Sequence, residues 1–279
     1  MMVQDLSKQL KPYTGNSAKI RNFNKSNPCL GTYFIWTRTI LTMSSNLAQK
    51  LRCGTQQAHA AIENVGFMKC FVKGVVDRDC FAKFLGNLYY IYTALEAALE
   101  RHKDNSLING VYFKELNRKA HLEKDLEFYY GQDWRKKITP SKAAQTHISR
   151  IHELSAKEPA LLIGHAYTRY MGDLSGGQML QKVAQSVLKL SGYEGTSFYN
   201  FDQIPDKKAF KDKYRQTLDE LPIDDATADK IVAEANNAFG LNMQMVQELE
   251  QTLIQAIGQT MFNTLSNTNN TGSTELSTA

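Results

Sequence analysis

Three glycines interrupt a stretch that otherwise has the spacing of a long helix. Apolar and polar residues alternate with helical period from Pro159 to Leu190, yet Gly172, Gly176 and Gly177 fall within six residues of "YTRYMGDLSGGQML". Each glycine costs a helix about 1 kcal/mol relative to alanine. Residues four apart on a helix are offset by about 40°, so Gly172 and Gly176 share one stripe, with His165 and Met179 close to it. A stripe without Cβ atoms leaves a flat backbone shelf, suited either to a closely packed second helix or to a flat ligand. Close packing needs only that one stripe. Gly177 lies off it and, beside Ser175, predicts a bend, because Gly and Ser together kink helices. The pattern predicts a kinked helix lying over a planar ligand.

The rest of the chain supplies a helical frame for that segment. With 279 residues, 42% hydrophobic, it can bury one large core or two modest ones. No Asn-Gly or Asp-Gly turn separates alternating apolar runs, while long segments show the helix period, so the fold class expected is all-α. One domain is expected over residues 44–262, with short loops and no interdomain linker. Its helices start near Ser44–Asn46, Asp77, Pro140, Pro159, Pro205 and Asp224, and Gly131 ends another. Residues 1–43 are expected to be a disordered or targeting extension, with Met43 an alternative start. Residues 263–279 are expected to form a disordered polar tail.

Charge and cysteine content exclude several functions. The net charge of +5 is carried entirely by residues 1–42, which hold six basic side chains and one acid, leaving the folded part neutral. That argues against a nucleic-acid binder. Cys29, Cys53, Cys70 and Cys80 show no CxxC spacing, which argues against structural zinc and suits a reducing compartment. No apolar run reaches the roughly 20 residues that span a bilayer.

Other residues have two readings each. Asp173 is disfavoured in mid-helix; it is either solvated or paired to Arg169, or it is an acceptor flanking the shelf that holds water for a proton relay. His59 and Glu63, at i,i+4, make either a surface pair or an iron ligand oriented by a carboxylate. Arg52 lies two turns earlier on the same face. Lys211 and Arg215 in "FKDKYRQ" are either a solvated pair or cations for a ligand's carboxylates.

At this point several ordered segments resemble one family. "HAYTRYMGDLSGGQML" is similar to the signature of the haem oxygenases, "QQAHAAIENVGF" to their proximal-histidine helix, "FKDKYRQ" to their propionate-binding helix and "ANNAFGLNMQM" to their last distal-side helix. The likeness covers about residues 44–262, and "LPIDDATADKIVAEAN" resembles the branch of photosynthetic organisms. The resemblance implies an all-α fold with haem, as substrate and cofactor, between a proximal and a kinked distal helix. It implies His59 as axial iron ligand oriented by Glu63, and Gly172 and Gly176 as the backbone over the haem face. Asp173 would hold the distal water network that delivers protons. Arg52, Tyr167, Lys211 and Arg215 would fix the propionates, and Phe239, Asn242 and Val246 would line the pocket.

The activity implied is cleavage of haem by O2 at the α-meso carbon to biliverdin, carbon monoxide and ferrous iron. Reduced ferredoxin is the implied electron donor, and a downstream bilin reductase the implied consumer. A bacterial protein would be cytoplasmic, the preferred expectation, and an algal or plant one would reside in the plastid stroma. Met171, Gly240, Val246 and Arg52 depart from the family's usual residues, and His165 matches the signature but is expected to be structural. Three alternatives were weighed against this one. A non-degrading haem carrier or sensor would need no Asp173. A thiaminase-like enzyme would need a pocket cysteine that no motif places. A di-iron bundle would need paired Glu-x-x-His motifs, which the sequence lacks.

Overall fold

The computed structural model describes residues 46–267, and the structural statements below concern those residues. Fourteen α-helices follow one another: α1 Leu47–Gly54, α2 Gln56–Glu63, α3 Gly66–Val72, α4 Arg78–Arg101, α5 Ser106–Val111, α6 Lys119–Tyr130, α7 Trp134–Lys137, α8 Lys142–Lys157, α9 Leu162–Ala166, α10 Gly172–Ser175, α11 Gly177–Leu188, α12 Lys207–Asp219, α13 Asp225–Ile257 and α14 Gln259–Asn267. No strand occurs among the described residues, as the helical periodicity requires. The expected extension, residues 1–43, and residues 268–279 of the expected tail lie outside them.

Local sequence sets the long helices. Asp77 accepts hydrogen bonds from the backbone N–H groups of Asp79 and Cys80 at the start of α4. Ser141, Asp206 and Asp224 cap α8, α12 and α13 in the same manner, each cap contributing about 1 kcal/mol. Gly131 (φ 79°) ends α6 and Gly258 (φ 84°) ends α13, both in backbone conformations that favour glycine. The apolar stripe of α4, including Phe81, Leu85, Leu88, Tyr92, Leu95 and Leu99, is buried. α4 packs between α6 and α8, while the 33-residue α13 runs past α1, α2, α3, α8 and α9.

Two boundaries differ from the sequence expectation. The first helix does not run unbroken to Val65; it breaks at Thr55. There the Thr55 hydroxyl donates to the Leu51 carbonyl at 2.7 Å, a bond that bends helices. A Cβ on Gly54 would lie 2.5 Å from the Val232 side chain, so α1 ends against α13 where only a glycine fits without that side chain moving. At the other end, the polar segment from Asn263 begins as helix. α14 extends to Asn267, held by the buried Phe262 and by the Lys69 and Lys73 ammoniums donating to the Ser266 and Leu265 carbonyls.

Candidate active site

The glycine-rich segment is one helical run with a π turn in it. α9 passes into a π turn at Tyr167–Met171, which gives way to α10; Gly176 then separates α10 from α11. The irregularity therefore starts before the glycines, not at Ser175–Gly177 where the sequence places it. π turns insert an extra residue into a helical turn and often mark functional sites. Gly172 and Gly176 both have ordinary right-handed helical angles, so the segment uses their missing side chains and not their backbone freedom.

What a Cβ would meet decides between the two readings of the shelf. At Gly172 it would meet nothing within 4 Å, and at Gly176 only the Gly172 carbonyl at 3.8 Å. Neither glycine is pressed against another helix. Gly164, two turns upstream, shows what close packing looks like: its Cβ would lie 2.8 Å from the Ala235 nitrogen and 2.9 Å from the Ile231 carbonyl on α13. Gly177 belongs to a third category. Its Cβ would sit 3.1 Å from the Tyr199 ring, so it makes room for an aromatic behind the run and is not the source of a bend.

Behind the shelf lies a buried polar cluster. Asp173 is 7% exposed. The Tyr92 hydroxyl donates to its Oδ2, and the Arg169 guanidinium lies 3.4 Å from its Oδ1. Arg169 also donates to the Tyr92 hydroxyl (3.1 Å) and to Asn242 Oδ1 (3.2 Å). Burial pushes the Asp173 carboxyl up, against the lowering effects of Arg169 and the Tyr92 hydrogen bond. Asp173 is thus paired to Arg169 and not solvated, and it is buried in the wall rather than exposed at its flank. In the sequence, Tyr92 sits on the apolar stripe of a helix and Arg169 is visible only as a charge partner at i−4 from Asp173. The signal available was a hydroxyl and a guanidinium on otherwise buried faces.

The opposite wall is built differently. α2 carries His59, whose Nδ1 lies 3.5 Å from Glu63 Oε1, both side chains being partly exposed. His59 Nε2 makes no hydrogen bond among the described residues. The imidazole meets the Phe239 ring edge-on, centroids 5.7 Å apart, so Phe239 on α13 braces it. Asn242, one turn on, belongs to the Arg169 cluster, and Val246 is buried in the hydrophobic core.

The cations converge at one edge. Burial raises the Tyr167 hydroxyl's pKa, opposed by the charges of Arg215 and Arg52. Arg52 and Arg215 are exposed, and Arg215 pairs with Asp212 at 2.6 Å. Lys211 reaches Ser175 Oγ at 3.4 Å, placing α12 beside α10. Tyr167 belongs to the run itself, Arg52 lies on α1, and Lys211 and Arg215 lie on α12, which touches the run through Lys211.

The remaining histidines near these elements are engaged. His165 is fully buried, as expected of a structural residue, between His147 Nε2 (3.0 Å) and Glu234 Oε1 (2.9 Å). His121 on α6 is occupied by Ser197 Oγ at 3.2 Å and Asp202 at 3.7 Å. No group of three or more His, Cys, Asp or Glu able to hold a metal ion comes together among the described residues, so the di-iron alternative has no ligand set. Cys53 is exposed while Cys70 and Cys80 are buried in the core. No described helix is long and apolar enough to cross a membrane.

Known proteins are similar to this chain. A family model described as heme oxygenase matches residues 45–248. Heme oxygenase 1 of Nostoc sp. is 55% identical over 237 residues, which is 85% of this chain and 100% of that protein. Heme oxygenase 1 of Synechocystis sp. is 51% identical, covering 85% of this chain and 98% of its own. The crystal structure of heme oxygenase-2 from Synechocystis sp., in complex with heme and NO, superposes with a TM-score of 0.80 at 49% identity, covering 82% of this chain and 96% of that one.

Proposed function

The chain belongs to the haem oxygenase family, and from that premise we propose that it opens haem at the α-meso carbon to biliverdin, carbon monoxide and ferrous iron, with electrons from reduced ferredoxin. It is an enzyme of haem cleavage, all-α, with haem as both substrate and cofactor. The observation that carries the finer reading is the shelf of Gly172 and Gly176, open on one side and backed by Asp173 on the other.

The residues present fit a haem. A planar macrocycle can lie against main-chain atoms where no Cβ intervenes, and His59 Nε2 is available while Glu63 holds Nδ1. His59 would ligate the iron, with Phe239 restricting rotation of its ring. Tyr167, Arg52, Lys211 and Arg215 would hold the propionates, guanidinium matching carboxylate geometry. Bound haem supplies the iron at which O2 is activated beside the ring to be oxidised. The chain's own part is to orient that ring and to deliver protons.

Proton delivery falls to Asp173. Burial raises the carboxyl against the opposing charge of Arg169, and a carboxyl held in place by hydrogen bonds is a group that can relay a proton. Tyr92 and Arg169 fix its two oxygens, leaving a distal water network as the route to the substrate face. Likeness to cyanobacterial relatives supports ferredoxin as donor, and so does the run of basic residues on α12 beside the propionate edge. A bilin reductase would then take the product.

The test is an aerobic absorbance time course on the protein with one equivalent of haemin, started by ferredoxin and its reductase. Loss of the Soret band with growth of biliverdin's red absorption is the expected result. A stable Soret band under reduction would make the protein a haem carrier and overturn the proposal.

A further inference from the structure

The last described helix returns to the joint below the proximal helix. α13 stops at Gly258 (φ 84°), and α14 then packs on α3. Its buried side chain, Phe262, is seated on Gly66, the first residue of α3. A Cβ on Gly66 would lie 2.5 Å from Phe262 Cζ and 2.8 Å from Glu250 Oε1. Glu250 Oε1 in turn accepts from the Phe67 N–H at 3.1 Å, one of the donors that a helix start leaves unpaired. Further along, the Lys69 and Lys73 ammoniums donate to the Ser266 and Leu265 carbonyls at 3.0 and 2.6 Å, where α14 runs out of helical donors. α14 is thus fastened to α3 near both of its ends.

Only Asn64 and Val65 separate α3 from α2. Both are committed. The Asn64 N–H and side-chain amide donate to the Ala60 carbonyl, and the Val65 N–H donates to the Ile62 carbonyl at 3.2 Å. The Val65 carbonyl accepts from the Lys69 N–H at 3.0 Å, and its side chain is buried. A joint with so little slack passes the position of Gly66 to the last turn of α2, which carries Glu63, with His59 one turn before it. α2 buries no residue of its own, so its seat is set by what holds its ends and by the Phe239 ring.

We propose that α14 is a strap across the base of the proximal helix, and that Phe262, seated on Gly66 beside Glu250, is a positioning residue for His59. The strap belongs to the haem-free chain. Its bearing on iron ligation rests on the function proposed above.

Amide hydrogen exchange on the haem-free full chain reads the strap directly. Phe262→Ala should speed exchange about tenfold in α14, in the first turn of α3 and in α2, and leave α9–α11 within about twofold of the parent, as local opening of one cooperative unit does. Phe262→Leu, which refills most of the gap, should bring α2 back toward the parental rate. Acceleration confined to α14 and α3 would make α14 a passenger, and equal acceleration in α9–α11 would mean general loss of stability; either overturns the proposal. Gly66→Ala is the converse test and decides the matter if Phe262→Ala does not fold. Its methyl group meets the Phe262 ring, so it should also accelerate α2, and parental exchange there would overturn the proposal. Combined with Phe262→Ala, which clears the space, its effect should shrink; simple additivity would show that the contact carries nothing. In the haem complex, Phe262→Ala should shift or broaden the ferrous iron–histidine stretching band and weaken haem binding about tenfold, with Phe262→Leu restoring both. An unchanged band and affinity would remove the positioning role. If the parent chain fails to bind haem, the function proposed above falls, and the exchange pattern still decides the strap.

Discussion

The two walls of the site are seated by opposite means. α2, the proximal wall, has no buried residue, and its two functional side chains are both partly exposed. The distal run from α9 to α11 buries Gly164, His165, Thr168, Tyr170, Asp173 and Leu174. The proximal wall is held at its ends: at Thr55, where the helix breaks against α13, and beyond Val65, where Glu250 accepts from the Phe67 N–H at 3.1 Å. The distal wall is held along its length by a close backbone approach and two polar clusters. Iron ligation needs one nitrogen that can be reached, whereas proton delivery needs a carboxyl held in a fixed, water-poor setting, so the difference follows the chemistry each wall would perform.

Substitutions can break this contrast in order of size. Asp173→Ala should leave haem binding, read from the Soret titration, near the parent value and cut ring opening by on the order of 100-fold or more. Biliverdin formation at the parental rate would show that the buried carboxyl is only structural. Gly164→Ala should destabilise the fold by about 2–3 kcal/mol, measured by urea unfolding, because its Cβ meets α13 backbone that cannot step aside. Gly172→Ala, by contrast, should change stability by less than about 1 kcal/mol while weakening haem binding, since its Cβ enters open space on the haem side. Equal effects at the two glycines would erase the distinction between packing groove and shelf.

Acid unfolding sharpens the distal side further. Burial alone would raise the Glu234 carboxyl, but hydrogen bonds from His165, Arg150 and Asn237 prevail and hold it at about 2. Its ionised form is thus favoured in the folded state, so its contribution is full above the ordinary glutamate range and fades as pH falls from about 4.5 toward 2. The stability gap between the parent and Glu234→Gln should be constant from pH 8 to about 5 and shrink below that. The smallest effect is expected at the proximal wall. His59→Ala should alter stability by about 0.5 kcal/mol or less, as exposed sites do, while abolishing the histidine-ligated haem spectrum.

Much of this was legible in residue spacing, and what was not depended on tertiary contact. The helical class, the caps at Asp77, Asp206 and Asp224 and the shared stripe of Gly172 and Gly176 follow from periodicity and local chemistry. The π turn does not, because no residue type at Tyr167–Met171 signals it. The need for a glycine at 54, just before the break, depends on Val232, far along the chain. Gly164 reads as an ordinary member of an apolar run until α13 is seen against it. The Asp173 cluster joins Tyr92 to Arg169 across 77 positions of sequence, a pairing that helix spacing cannot express.

The shelf itself has an evolutionary consequence. At Gly172 and Gly176 the surface that would meet a bound haem consists of main-chain atoms, which every amino acid shares. Point substitution can spoil this ceiling but cannot retune it. Drift in pocket tightness must therefore be written elsewhere: on the floor, at positions such as Phe239 and Gly240, or at the rim, at Arg52. Met171, Gly240, Val246 and Arg52 all lie off the shelf. The surface a bound ring would meet is set by main chain, and the side chains around it would set how tightly that ring sits.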